Sequence, residues 1–307
     1  MTSSAVEIQN VNKTYGSTRA VADLSLVVPN GSVYGFIGPN GSGKTTTLRM
    51  ILRIIHPDSG MIRVLGEDAS AGDAANDRIG YLPEERGLYR KMLVGEVLEF
   101  YAGLKGVKNA KPLIAGWLDR LQLKDVARKK VEAMSKGMSQ KIQFIATVLH
   151  KPELVILDEP FSGLDPVNMD VLKDAILELR RGGTTVIFST HDMDVAEKMC
   201  DFVFMIFKGQ KVLDGTLGTI KEKYGSDTLR VRMEGNGVQF TELPGVQRVN
   251  DFGQFQELRI DKQADPQAIL QQLAGRGRVQ HFEIAQPSLH DIFVRIAGPA
   301  AQEITHE

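Results

Sequence analysis

The 307-residue chain is poor in cysteine: it has one, Cys200. A single thiol excludes an internal disulfide and fits a reducing compartment. In "EKMCDFVF" it reads as a small buried residue rather than a reactive one. A surplus of one charge sign is also missing. Lys and Arg total 37, Asp and Glu 38, for a formal net charge of −1. The basic excess typical of nucleic-acid binders is therefore absent, and no nucleic-acid partner is expected. No apolar run approaches the roughly 20 residues that cross a bilayer; "FVFMIF" at 202–207 is strand length. The start, "MTSSAVEIQN", lacks the charged-then-apolar order of a secretory signal. These absences point to a cytoplasmic protein, or one held at a membrane by something else. No G-x-G-x-x-G follows a first strand with an acidic partner, which excludes a dinucleotide-binding fold of that kind. Internal repeats and low-complexity segments are missing too.

What is present favours a packed core: 42% hydrophobic and 24% charged residues, in a length that suits one large domain or two unequal ones. Residues 5–35 alternate and turn like short strands. "KTTTLRMILRII" has helical spacing and stops at "HPDSG". Residues 92–130 are mostly helical in pattern and carry the only tryptophan, Trp117, as a packing residue. From 138 the pattern runs helix to His150, strand "LVILDE", helix, strand "TTVIFST", helix, strand "DFVFMIFKG". Apolar strands alternating with helices predict a parallel sheet covered on both faces. After "KEKYGSD" at 221–227 the texture changes to strands, a helix, a strand and a last helix, which predicts a small α+β domain.

Three strand ends carry chemistry. "GPNGSGKT" fits G-x-x-x-x-G-K-[ST] between a strand and a helix. Gly38, Pro39, Asn40, Gly41, Ser42 and Gly43 form a turn whose backbone N–H groups can face phosphate oxygens. Lys44 reaches the outer phosphates, Thr45 offers a hydroxyl to Mg²⁺, and Thr46, next in the motif, is a further nucleotide-binding candidate. "LVILDEP" ends a strand in Asp158 and Glu159, at the sheet edge where such folds bind ligands. Asp158 suits the Mg²⁺ shell and Glu159 the polarising of an attacking water. "FSTHD" ends another strand in His191, which has two readings: a structural histidine, or a hydrogen-bond partner of a γ-phosphate. "MSKGMSQK" at 134–141 precedes an apolar-periodic stretch and reads as a loop feeding a helix N-terminus, which favours an anion. No Lys-Thr pair follows it, so its anion is not explained by its own segment.

In this order the motifs resemble the ATP-binding subunits of ABC transporters over residues 5 to about 220. The resemblance implies an α/β P-loop NTPase domain at 1–220, with an antiparallel β subdomain and a helical subdomain at about 90–150. A small C-terminal α+β accessory domain follows at 226–307. "KTYG" resembles the adenine-stacking loop, making Tyr15 the stacking candidate; without the family it reads as a strand-end packing tyrosine. "FSGLDP" resembles the loop whose Asp165 faces a partner subunit. "MSKGM" resembles the family's L-S-G-G-Q signature: Ser135 and Gly137 match, while Lys136 and Met138 depart from it. In the family this loop completes the ATP site of the opposite protomer, which answers whose anion it meets. Glu84, in "GYLPEERGLY", stands where the family has glutamine. As a carboxylate it either contributes to the metal and catalytic site or is an ordinary solvated glutamate. "PSLHDIFVRIAG" is similar to the end of ATPases paired with sodium and drug exporters.

The resemblance implies an ATPase using ATP and Mg²⁺. Two head-to-tail copies, or one copy and a homologous ATPase subunit, would drive a separate transmembrane permease from the inner face of the cell membrane. A small-molecule P-loop kinase would not explain "MSKGM", "FSGLD" and "STHD" in this order. A non-transport ABC ATPase acting on ribosomes or DNA is the alternative; such soluble types carry tandem domains or coiled-coil insertions that this chain lacks.

Overall fold

The computed structural model describes residues 4–68, 76–85, 87–225, 227–234, 240–261 and 263–302. The chain separates into two compact units, 1–215 and 216–307. The limit falls before the change of texture seen in the sequence, because texture reports composition while the units are defined by contacts.

The first unit opens with two long strands, β1 (Ser4–Tyr15) and β2 (Thr18–Pro29), paired antiparallel. Val6, Ile8 and Val11 face inward from β1. A register shift between Ile8 and Val11, with Asn10 at φ 49°, keeps Val11 inward across a break in strict alternation. β3 (Val33–Ile37) leads into α1 (Lys44–Ile51). β4 (Ser59–Val64) and β5 (Glu67–Asp68) complete an antiparallel sheet of order β2-β1-β4-β5. β6 (Ile79–Leu82) is followed by three helices, α2 (Val94–Leu104), α3 (Lys111–Arg120) and α4 (Lys136–Val148). Trp117 sits edge-on to Phe144 with ring centroids 5.9 Å apart, a packing contact between α3 and α4.

The chain then alternates as β7 (Leu154–Asp158), α5 (Pro166–Arg181), β8 (Thr185–Thr190), α6 (Met193–Met199), β9 (Phe202–Phe207) and β10 (Gln210–Thr216). These strands join β3 and β6 in a six-stranded sheet of order β10-β9-β3-β8-β7-β6. Pairing is parallel from β9 to β6. β3, β7 and β8 are buried along their whole length, as expected for a sheet covered on both faces. The core lies between the two sheets around α1, where Ile8, Leu24, Leu48, Phe36, Ile156 and Phe204 meet.

The second unit begins with α7 (Leu217–Tyr224). β11 (Thr228–Met233), β12 (Val246–Asp251), β13 (Gln256–Ile260), α8 (Pro266–Arg276), β14 (Val279–Ala285) and α9 (Leu289–Gln302) follow. Its antiparallel sheet has order β12-β13-β11-β14, and its core joins Leu229, Val231, Leu258 and Ile260 to Ile269 and Leu273 of α8. Arg295 of α9 donates to both carboxylate oxygens of the mostly buried Asp227, each at 3.1 Å.

Candidate functional site

Parallel pairing puts the C-terminal ends of β3, β6, β7 and β8 on one edge. Ile37 lies opposite Thr190, Asp158 opposite Ser189, and Leu82 opposite Leu157. The chain leaves β3 into the glycine loop. Gly38 is pressed so closely against the Ile206 carbonyl that a Cβ would collide with it. Gly43, the N-cap of α1, has φ 112°, and a Cβ there would lie 2.5 Å from the Ala20 carbonyl oxygen. At these two positions the path of the loop leaves no room for a side chain.

Lys44 is 5% exposed. Its Nζ donates to the carbonyls of Gly38 (2.7 Å) and Pro39 (3.2 Å) and lies 3.8 Å from Glu159 Oε1. Burial pulls its pKa down; the charges of Glu159, Asp158 and Glu84 work against that. Thr45 Oγ1 donates to Asp158 Oδ1 at 3.3 Å. Ser42 Oγ is buried under the loop with no hydrogen-bond partner among the described residues. Such an orphan is uncommon in a finished interior and fits a loop built to receive a phosphate chain.

Glu159 holds a left-handed backbone at φ 48°, a strained setting for a non-glycine residue. Its N–H donates to Ser189 Oγ at 3.0 Å, and Ser189 Oγ donates to Asp158 Oδ1 at 2.5 Å. One serine therefore orients both acidic residues. The His191 ring sets Nδ1 3.1 Å from each Glu159 carboxylate oxygen. Burial pushes the Glu159 carboxyl above the usual carboxylate range; His191 and Lys44 oppose that, and Asp158 adds to it. The buried carboxylate is thus more basic than an exposed one.

Other expected site residues lie apart from this cluster. Tyr15, at the end of β1, is 49% exposed, with Lys13 Nζ 5.6 Å from its ring centroid. Glu84 is exposed beyond β6, within electrostatic reach of Lys44 and Tyr81. Ser135 is the N-cap of α4, its Oγ accepting from Met138 N at 3.2 Å. The helix starts at Lys136, so "KGM" is its first turn rather than a loop before it; the cap stops the backbone from staying irregular to 138. Asp165 caps α5 by accepting from Asn168 N at 2.9 Å. Among the described residues no hydrogen bond or ion pair joins Ser135, Gly137 or Asp165 to Lys44, Thr45, Asp158 or Glu159. Ser135 and Asp165 are exposed and form a second group. The role of Ser189 is not read from the sequence; its only signal there is a place one residue from the end of a chemistry-bearing strand.

Comparison with known proteins gives a consistent picture. The family described as ABC transporter matches residues 21–162, and the family described as ATP-binding protein DrrA1-3-like, C-terminal domain, matches residues 215–297. The uncharacterized ABC transporter ATP-binding protein YhaQ of Bacillus subtilis (strain 168) is 41% identical over 293 residues, covering 95% of this chain and 98% of that protein. The daunorubicin/doxorubicin resistance ATP-binding protein DrrA of Streptomyces peucetius is 32% identical, covering 99% and 96%. A solved ATP-binding subunit of an ABC transporter is 29% identical with a TM-score of 0.68, covering 72% of this chain and 93% of that one.

Proposed function

The chain belongs to the ABC transporter ATP-binding proteins, and from that premise we propose that it is the motor of an exporter. Proteins of this family are ATPases coupled to transport and work with a transmembrane component. In our reading two copies, or one copy and a homologous subunit, close head to tail on two ATP molecules beneath a separate permease, at the inner face of the cell membrane. Export is favoured by the DrrA-like second unit and by a 33% identical relative named as a Nod factor export ATP-binding protein, from Sinorhizobium fredii (strain NBRC 101917 / NGR234). Among the described residues no helix is long and apolar enough to cross a membrane, so the permease is taken to be another polypeptide. Exposed Tyr89, Phe100 and Leu104 suit contact with it.

The observation that carries the catalytic reading is the buried cluster of Lys44, Asp158, Glu159 and Ser189 beneath the glycine loop. Lys44 holds the outer phosphates, and Glu159, oriented by His191, takes the proton of the attacking water. Thr45 and Asp158 are hard oxygen donors suited to Mg²⁺, with Glu84 near enough to tune the charge. Mg²⁺, when bound, neutralises charge on the transferred phosphoryl group. Tyr15 stacks on the adenine. Ser135, Gly137 and Asp165 serve the other copy's ATP.

Glu159→Gln tests the reading in its native host. The variant is expected to bind ATP, to lose turnover, and to be recovered as an ATP-bound dimer with a polytopic membrane protein. Hydrolysis near the unmodified rate would overturn the base assignment. Consistent recovery with ribosomes or DNA would overturn the transport assignment.

A further inference from the structure

α4 turns one face toward the loop that follows Glu159. Gly137, Gln140 and Lys141 recur at helical spacing, and Gln140 and Lys141 are 2% and 3% exposed. Gln140 Nε2 donates to the Pro160 carbonyl at 3.1 Å. The Lys136 side chain lies against Gly163, and a Cβ on Gly137 would stand 3.3 Å from Leu164. A buried ammonium demands a partner, and Lys141 Nζ donates to Asn168 Oδ1 at 2.7 Å. The other end of that carboxamide, Nδ2, donates to Asp165 Oδ2 at 2.5 Å. Asn168 therefore stands between a buried cation and an exposed anion, its oxygen toward the first and its nitrogen toward the second. No other side chain of that size serves both ends. Aspartate would satisfy Lys141 but set oxygen against the oxygen of Asp165, and leucine would leave Lys141 without an acceptor. Behind this chain the contacts are buried; in front, Ser135, Asp165 and the 69% exposed Val167 face outward.

We propose that Asn168 is a positioning residue which, with Lys141, locks the Ser135 turn and the Asp165 turn of one chain into a single body, so that both enter the partner copy's ATP site together. This rests on the head-to-tail reading above.

The test is Asn168→Leu. The separate chain is expected to bind ATP within about twofold of the unmodified protein, since its own Lys44 loop is untouched, while kcat falls by about tenfold to a hundredfold from misalignment. Lys141→Met with Asn168→Leu should fall no further than either change alone. Mixed in equal amounts with Lys44→Ala, Asn168→Leu should regain activity toward about a quarter of the unmodified rate. Half of randomly paired two-fold dimers are mixed, and each then has one whole site. A brace serving only its own subunit would give no such rescue. Asn168→Asp keeps an acceptor for Lys141, so it is expected to fold yet lose turnover; it carries the same comparisons if Asn168→Leu proves too unstable to purify. Unchanged kcat, or weakened ATP binding by the separate chain, overturns the proposal. A Ser135→Arg and Lys44→Ala mixture separates the two readings. If it regains activity and the Asn168 mixture does not, the positioning role fails; if neither does, the head-to-tail reading fails with it.

Discussion

Glu159 and His191 show at the residue scale how one side chain sets another's chemistry. Burial raises the Glu159 pKa, and the hydrogen bond and charge of His191 lower it. Acting as the proposed base, Glu159 must be deprotonated, so turnover is expected to fall as pH drops through its pKa in the folded protein. The acid limb of the ATPase pH profile should thus lie above the ordinary carboxylate value of about 4.3. His191→Ala removes the partner that favours the ionised form, so the limb should move to still higher pH as kcat drops. A limb that stays in place would mean that His191 does not act through Glu159. Lys44 and Asp158 were legible in the sequence because each belongs to a motif contiguous in the chain. The pairing of His191 with Glu159, 32 residues apart, was not.

The glycine loop and the first turn of α4 are both helix starts, yet they differ in how they are capped. α1 has glycine at its N-cap and no side-chain cap, the arrangement expected where the N-terminal donors are kept for the proposed phosphate contact. α4 and α5 carry side-chain caps from Ser135 and Asp165. In the second unit the Asp227–Arg295 pair is one of the ties between the last helix and the start of β11, beside the Arg295 bond to Thr228 Oγ1. Ser288 and Asp291 reinforce it at the start of α9, where Asp291 N donates to Ser288 Oγ at 3.1 Å and Ser288 N to Asp291 Oδ2 at 3.0 Å. Asp227→Ala would leave Arg295, whose side chain is 17% exposed, without its carboxylate. The expected cost is about 2–3 kcal/mol, below the full figure for a buried pair because the arginine is partly solvated. Thermal unfolding should show it as a lower transition for the second unit, with ATP binding unchanged. No shift in that transition would remove the pair from the account of its stability.

At the scale of the molecule, every residue assigned to the nucleotide lies in the first unit, 1–215. A chain ending at residue 225 is accordingly expected to keep Mg²⁺-ATP binding, measured by titration, whatever happens to its turnover. Loss of binding in a folded truncated chain would refute the placement of the whole nucleotide site in the first unit.

The sequence by itself determined the phosphate loop, the acidic strand end, the alternation of strands and helices and the existence of a differently textured C-terminal region. Each is written in neighbouring residues, through glycine's freedom, the period of apolar side chains and the residues that stop helices. Only the tertiary structure decided which strand ends become neighbours. The chain passes through β6 and β7 before reaching β8, yet β8 lies between β3 and β7. That order brings Ser189 against Asp158 and Glu159, and His191 against Glu159. Likewise Lys141 finds Asn168 across 27 residues. Parallel pairing between distant segments is set by how whole faces bury against one another, and no local pattern records the result.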